Sequence, residues 1–375
     1  MGAPLSSEFR RLAELAHLCH HGAMLERVCC VLTIALLLAC GRSPYPRSDH
    51  FDGEHFHNPA GEPAKGLGAV LRWKLTSSVP DWQRYPDVSP GPKPPARVGA
   101  GELRVTFVNH ATTLLQFDGV NVLTDPIWSE RASPVSWAGP ERVRPPGLRF
   151  ADLPAIDVVV VSHDHYDHLD LPTLRRIEQA HHARFVVPLG LARLLREQEL
   201  TDVLERDWWQ PFALSDSQRG WVVPAQHFSA RGPFDRDETL WAGYVLETQG
   251  GPVFFAGDTG MSSHFAQVRA RFGPMRLAVL PIGAFEPRWF MKPIHVDPEE
   301  ALEAHQTLAA QTSIGMHFGT FQLADESQTG AQERLLAALA RAPEPKPSFW
   351  LLEFGEGRAV PPLRSREREL LPERR

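Results

Sequence analysis

After Cys40 the sequence contains no cysteine: Cys19, Cys29, Cys30 and Cys40 all fall in the first forty of 375 residues. The body of the chain therefore holds no disulfide, and a metal site within it must use nitrogen and oxygen ligands rather than thiolate. An excess of positive charge is missing as well. Lysine and arginine number 39 against 45 aspartates and glutamates, a formal net charge of -6. That balance argues against a nucleic-acid partner, since such binders usually carry a basic face. Also missing is an apolar run of the ~20 residues that a membrane-spanning helix needs. The longest such run, VCCVLTIALLLA at residues 28–39, falls short of it.

That run has Arg27 before it and Cys40-Gly41 after it, the layout of a secretory signal: a basic flank, a short apolar stretch and a small-residue end. Leu37-Leu38-Ala39-Cys40 resembles the bacterial lipobox. The resemblance implies lipid modification of Cys40 after cleavage, and so an exported, membrane-anchored lipoprotein of the periplasm or cell surface. A short anchor or a core helix is the other reading of the run. A leader beginning at Met1 would be long and contain glutamate; a start at Met24 removes that difficulty. Residues 41–101 are rich in Pro, His and Arg without sustained periodicity and read as an extended arm and Pro-rich linker. His50, His55 and His57 within it are expected to be solvated rather than metal-bound. Residues 359–375 read as a charged tail.

From residue 102 to about 358 the texture is that of a folded domain. LRVTFVNH, TTLLQFDG and VNVLTD are short β-rich runs broken by Gly and Asp. IDVVVVS is continuously apolar, as a buried strand is, and LPTLRRIEQAHH and GLARLLREQEL read as helices around the strand ARFVVPL. In the second half GWVVPAQHF, LWAGYVLET, GPVFFAGD, RLAVLPIG, TSIGMHFGT and PSFWLLEFGEG read as strands. SSHFAQVRARFG and DPEEALEAHQTLA read as helices, the latter with acidic residues in its first turn to suit the helix dipole. No Pro/Gly-rich linker divides the halves. The expectation is one α/β domain with two sheets covered by helices, their strand order left open.

Directly after the four valines come His163, Asp164, His165, Tyr166, Asp167 and His168. In α/β folds functional groups gather where strands end. His163 and His165, two apart, can point to one side of an extended or turning backbone. Asp167 and His168 can address a neighbouring point, so one loop can serve two cations ~3.5–4 Å apart. A polar loop with paired histidines would explain a lone HxH. The HxHxDH hexad is more specific and reads as a metal loop, imidazole and carboxylate both suiting divalent ions. A zinc ion takes at least three protein ligands, so more are expected at other strand ends. The candidates are His227 after GWVVPAQ, Asp258 after GPVFFAG and His317 after TSIGM. Small neighbours, Gly257 and Thr259-Gly260, let the Asp258 carboxylate approach closely, and its two oxygens can bridge two ions.

SHDHYDHLD, QHF, AGDTG and MHFGTF together resemble the metallo-β-lactamase fold superfamily. Longer blocks, NHATTLLQFDGVNVLTDPIWSERASPVSWAGPERVRPPG, LPIGAFEPRWFMKPIHVDPEEA and MHFGTFQLADE, resemble the N-acyl-phosphatidylethanolamine-hydrolysing phospholipase D family over roughly residues 102–325. The resemblance implies a four-layer αβ/βα sandwich, two mixed sheets flanked by helices. It implies two Zn2+ ions, one on His163, His165 and His227, the other on Asp167, His168 and His317, bridged by Asp258 and a water or hydroxide. It further implies attack on phosphorus with Asp167 and Asp258 orienting the nucleophile, and release of phosphatidic acid and an N-acylethanolamine. His295, in PIHVDPEE, matches a family histidine near the substrate and is expected to contact it or supply a proton, unless it serves only the start of the following helix. Tyr166, Arg288 and Trp289 are candidate substrate contacts. Arg131, Arg142 and Arg144, with Phe290 and Met291, could steer an anionic head group and hold acyl chains; the plainer reading is loop packing for the apolar residues and loop packing or a solvated positive edge for the arginines.

The same ligands could serve a lactonase, an esterase or a phosphodiesterase acting on a small soluble substrate, because fold does not fix function. A purely structural zinc site is disfavoured by seven ligands, structural sites being closed and often thiolate-rich. The acidic balance disfavours a nuclease. The expected partners are a phospholipid substrate and a membrane surface. The metal's identity and the oligomeric state, a homodimer included, stay open.

Overall fold

The computed structural model describes residues 44–59, 62–364 and 367. Cys40 and the apolar run before it lie outside the described residues. The chain divides into two compact units, Met1–Glu54 and His55–Arg375. In the described part of the first, His50 is not solvated as expected: it is buried, with Nδ1 2.6 Å from Asp49 Oδ1, a carboxylate that satisfies the imidazole. In the second unit His55 and His57 are exposed.

Two seven-stranded sheets dominate the second unit. The first runs in the order β14-β1-β2-β3-β4-β5-β6, where β1 is Leu103–Asn109, β2 Thr112–Phe117, β3 Val120–Thr124, β4 Val158–Val160, β5 Arg184–Pro188, β6 Val203–Arg206 and β14 Gly357–Ala359. The second runs β13-β12-β11-β10-β9-β8-β7, with β7 Pro211–Ala213, β8 Arg219–Val223, β9 Gly243–Leu246, β10 Val253–Phe255, β11 Leu277–Pro281, β12 Thr312–Met316 and β13 Phe349–Trp350. Each sheet is antiparallel at one side and parallel at the other: β3 to β6 are parallel in the first, β10 to β13 in the second. Parallel strands are covered on both faces and so read as unbroken apolar runs; Val158, Val159 and Val160 are all buried. The sheets meet where the Tyr244 hydroxyl of β9 donates to the Val161 carbonyl, 2.7 Å away.

Helices flank this pair, giving the expected α/β sandwich. They are α1 (Leu67–Thr76), α2 (Leu171–His181), α3 (Ala192–Glu197), α4 (His264–Phe272), α5 (Arg288–Met291), α6 (Pro298–Thr307) and α7 (Gly330–Arg341). Leu174 and Ile177 of α2 and Leu195 of α3 pack against Val159, Phe185 and Val187 of the first sheet. α6 starts on a reciprocal capping box in which Asp297 accepts from the Glu300 N–H and the Glu300 side chain accepts from the Asp297 N–H.

Several expected strands end sooner than their apolar runs. The run GWVVPAQHF leaves the sheet after Val223, and the strand in GPVFFAGD ends at Phe255. The residues that follow turn away from the ladder, which is what frees His227 and Asp258 for other partners. α1 lies in the arm that lacked periodicity. Its apolar residues are divided between an inner face and an outer one, so no single stripe marks the helix.

Candidate metal centre

Every candidate ligand sits just past the carboxyl end of a strand: His163 after β4, His227 after β8, Asp258 after β10 and His317 after β12. The strands carry them to one rim shared by both sheets. Backbone geometry there is unusual. His317 has φ 63° and Gly257 φ 60°, in the left-handed region. A Cβ at Gly257 would lie 2.6 Å from Ser162 Cβ, so only glycine lets Asp258 sit this close to the His163 loop.

The donors fall into two groups. His163, His165 and His227 converge, with His165 Nδ1 2.8 Å from His163 Nε2 and 3.3 Å from His227 Nε2. Asp167, His168 and His317 converge beside them, with Asp167 Oδ2 3.3 Å from both His168 Nε2 and His317 Nε2. Asp258 Oδ2 stands between the groups, 3.0 Å from His168 Nε2, 3.1 Å from His317 Nε2, 3.9 Å from His227 Nε2 and 4.0 Å from His163 Nε2. Ligand atoms ~2.0–2.1 Å from a tetrahedral zinc ion lie about 3.3 Å from one another, and these separations match. The orientation fits as well. His168 Nε2 and Asp258 Oδ1 are buried without a hydrogen-bond partner, although oxygens and nitrogens crowd around them. Polar atoms so placed suit a shared cation better than one another. The residues present fit a metal centre.

Further out, the imidazoles are held by their other nitrogens. His168 Nδ1 lies 2.6 Å from Asp125 Oδ2, and Asp125 also accepts from the Ser162 N–H and hydroxyl. His227 Nδ1 donates to the Ile294 carbonyl at 3.0 Å, and His163 Nδ1 is 2.9 Å from Ser162 Oγ. Such partners fix tautomer and ring orientation. Burial pushes the His165 imidazole down to about 3 and the His227 imidazole down to about 4, so both are neutral. Burial opposes charge on Asp258 too, but His168, His317 and His295 together hold its carboxyl well below the usual range. Burial opposes charge on His168 and His317 as well, but Asp258 and Asp167 hold the first well above the usual imidazole range and the second up to about 9, so a divalent ion, which takes neutral imidazole and ionised carboxylate, would displace protons from these two rings.

Two residues of the centre were not singled out in the sequence. His110 is buried, its Nε2 2.8 Å from Asp167 Oδ2 and its ring centroid 4.0 Å from that of His317. Asp125 is the carboxylate behind His168. Each follows a β run directly, His110 after β1 and Asp125 after β3, the same signal that marked the other ligands.

His295 lies at the same rim. Its ring centroid is 5.2 Å from that of His227, and its Nδ1 is buried without a partner. The cap of α6 is Asp297, so His295 is not its capping residue. The other candidates are engaged elsewhere. Arg288 donates to the His295 carbonyl at 2.8 Å and to Glu300 at 2.6 Å. Tyr166 donates its hydroxyl to the Arg231 carbonyl at 2.9 Å and lines a cleft with Arg131, Arg175 and Arg231. Trp289 is exposed beside Arg72, while Phe290 and Met291 are core residues. Arg131 pairs with Glu141, Arg142 is buried on the Ser129 and Ile127 carbonyls, and Arg144 stacks 3.9 Å over Phe354. For these three arginines loop packing is what the structure shows.

The β-lactamase superfamily domain matches residues 120–318, which hold every candidate ligand from His163 to His317. The chain belongs to the metallo-β-lactamase superfamily. Within that superfamily it is 41% identical over 231 residues to N-acyl-phosphatidylethanolamine-hydrolyzing phospholipase D 1 of Caenorhabditis elegans, a match covering 59% of this chain and 65% of the relative. The chain thus spans just under two thirds of that relative's length. It is 30% identical over 222 residues to a metal-dependent hydrolase of Hyperthermus butylicus, covering 58% of this chain and 84% of the relative. Among solved structures, the isothiocyanate hydrolase from Delia radicum gut bacteria superposes with a TM-score of 0.54 at 21% identity, over 69% of this chain and 99% of that one; that likeness concerns the metallo-β-lactamase fold alone.

Proposed function

We propose that this metallo-β-lactamase superfamily member is a metal-dependent hydrolase with two cations, zinc the expected ones. Its reaction is of the phospholipase D type, cleaving N-acyl-phosphatidylethanolamine-like lipids to phosphatidic acid and an N-acylethanolamine. The observation that carries this reading is the meeting of two three-residue ligand groups at one carboxylate oxygen, Asp258 Oδ2. The likeness to relatives named for this lipid supports the choice of substrate.

His163, His165 and His227 would hold one cation, Asp167, His168 and His317 the other, with Asp258 addressing both. Bound there, the pair supplies Lewis-acid charge to a phosphoryl oxygen and acidifies water. The chain does the rest. Asp125 holds the His168 ring so that Nε2 faces the centre. His110 donates to Asp167 Oδ2 and fixes that carboxylate's orientation. His295, with a partnerless Nδ1 at the rim, is placed to hydrogen-bond a substrate oxygen. A lipid anchor on Cys40 would keep the chain beside such a substrate; palmitate labelling that survives Cys40→Ala would reject that part.

The test uses zinc-loaded protein and N-acyl-phosphatidylethanolamine micelles in oxygen-18 water, with products read by mass spectrometry. Labelled phosphatidic acid is expected. Labelled free fatty acid would move the attack to the acyl ester. No product from protein shown to hold two metals would transfer the assignment to a small soluble phosphodiester or lactone.

A further inference from the structure

α1 buries one face and leaves another bare. Trp73 is buried, its ring stacked at 4.9 Å on Phe290 of α5, and Ala69 and Val70 pack on the same cluster with Met291 and Ile294. Asp325 accepts from Trp73 Nε1 and from the Ser77 hydroxyl, so the helix is fastened at its carboxyl end. On the far side Leu67, Leu71 and Leu75 are 79%, 62% and 77% exposed. At 3.6 residues per turn, residues four apart form one stripe. Lys74 and Arg72, both exposed, fall on its two edges, and the Arg72 guanidinium lies 4.6 Å over the exposed Trp289 ring. Three leucines in water gain nothing for folding, and the helix is seated by Ala69, Val70 and Trp73 on its other side.

We propose that this stripe docks on an anionic phospholipid surface. The proposal rests on the phospholipase reading above, whose substrate lies in such a surface. A leucine stripe edged by Lys and Arg, with an exposed tryptophan beside it, is the composition of a helix that lies in a lipid interface: apolar side chains enter the acyl boundary, cations meet phosphate, and tryptophan sits at head-group level. The position fits as well. Phe228 packs on the α1 cluster and its ring centroid is 4.6 Å from that of His165, while Ile294 in the same cluster accepts from His227. Through its buried side α1 thus adjoins the metal centre, so a lipid surface met by the leucine stripe would lie one helix away from it.

The test compares the full wild-type chain with a Leu67→Ser/Leu71→Ser/Leu75→Ser variant and an Arg72→Glu/Lys74→Glu variant. The readouts are amide hydrogen exchange of residues 67–76, with and without phosphatidylcholine–phosphatidylglycerol vesicles, and turnover of vesicle-embedded lipid against soluble bis(4-nitrophenyl) phosphate. We expect vesicles to protect the helix in the wild type and not in the leucine variant. Vesicle turnover should fall about tenfold or more in that variant, with soluble turnover unchanged. The charge variant should lose protection on anionic vesicles and keep part of it on neutral ones. No protection of the wild-type helix by vesicles would overturn the proposal, even if both substrates were hydrolysed. Protection that grows with protein concentration and ignores lipid would also overturn it, in favour of a second copy on this face. Protection without turnover of either substrate would uphold the docking surface and reject the phospholipase reading instead.

Discussion

The two ligand groups share Asp258 but are braced by different chemistry. Behind His163 and His227 stand uncharged partners, the Ser162 hydroxyl and the Ile294 carbonyl. Behind His168 stands the buried carboxylate of Asp125, and Asp167 is held by His110. A carboxylate behind an imidazole raises its basicity and fixes its ring, and such outer partners are typically worth ~10–100-fold in metal affinity. The Asp167/His168/His317 pocket should therefore hold its cation the more tightly, and graded chelation should pass through a one-metal protein.

The largest effect that would break this asymmetry comes from Asp258, which serves both pockets. Asp258→Ala should lower metal content in both, and turnover by roughly 10³-fold or more; elemental analysis showing one full-affinity site left would contradict the bridging role. Next is Asp125→Ala, expected to weaken the Asp167/His168/His317 pocket by ~10–100-fold and the other, which Asp125 reaches only through the Ser162 hydroxyl, by less. Competition with a chromogenic chelator would read both constants, and equal weakening would dissolve the distinction. His110→Ala should act in the same pocket, by about tenfold, with partial recovery in His110→Gln if donation to Asp167 is what matters.

The smallest effect calibrates the others with a histidine remote from both pockets. His305 is buried with Nδ1 2.7 Å from Ser313 Oγ, and burial pushes it down to about 4. Unfolded, it protonates near its ordinary ~6.5. Between those values the unfolded chain holds one proton more, so its share of stability is lost as pH falls from about 6.5 toward 4, by up to ~1.4 kcal/mol per pH unit. His305→Gln should remove that much of the slope in urea unfolding of the metal-free protein at pH 7 and pH 5. An unchanged slope would mean that His305 takes up its proton in the folded state.

The cluster of seven candidate ligands was legible because HxHxDH packs four donors into six residues and because His227, Asp258 and His317 each end an apolar run. His110 and Asp125 end such runs too, yet neither has a neighbour in sequence that marks it. What brings Asp125 to His168 is the parallel register of β3 with β4, and strand pairing is not written in either strand alone. The same limit left the sheet order open. α7 went unread although its buried residues, Ala331, Leu335 and Ala338, fall at helical spacing: two of the three are alanines, and the larger Leu336 beside them is exposed, which blurs the apolar stripe. Arg142 looked like a surface cation because the carbonyls that take its hydrogen bonds belong to a loop whose path only the folded chain defines.

Both pockets draw ligands from both sheets. His165 and His227 meet from 62 residues apart, Asp167 and His317 from 150. A cation in either pocket would tie the halves of a cysteine-free body together much as a disulfide would, by closing long loops in the chain. Chelators should then lower the melting temperature as well as the activity, and survival of the folded protein would be set by the local supply of metal.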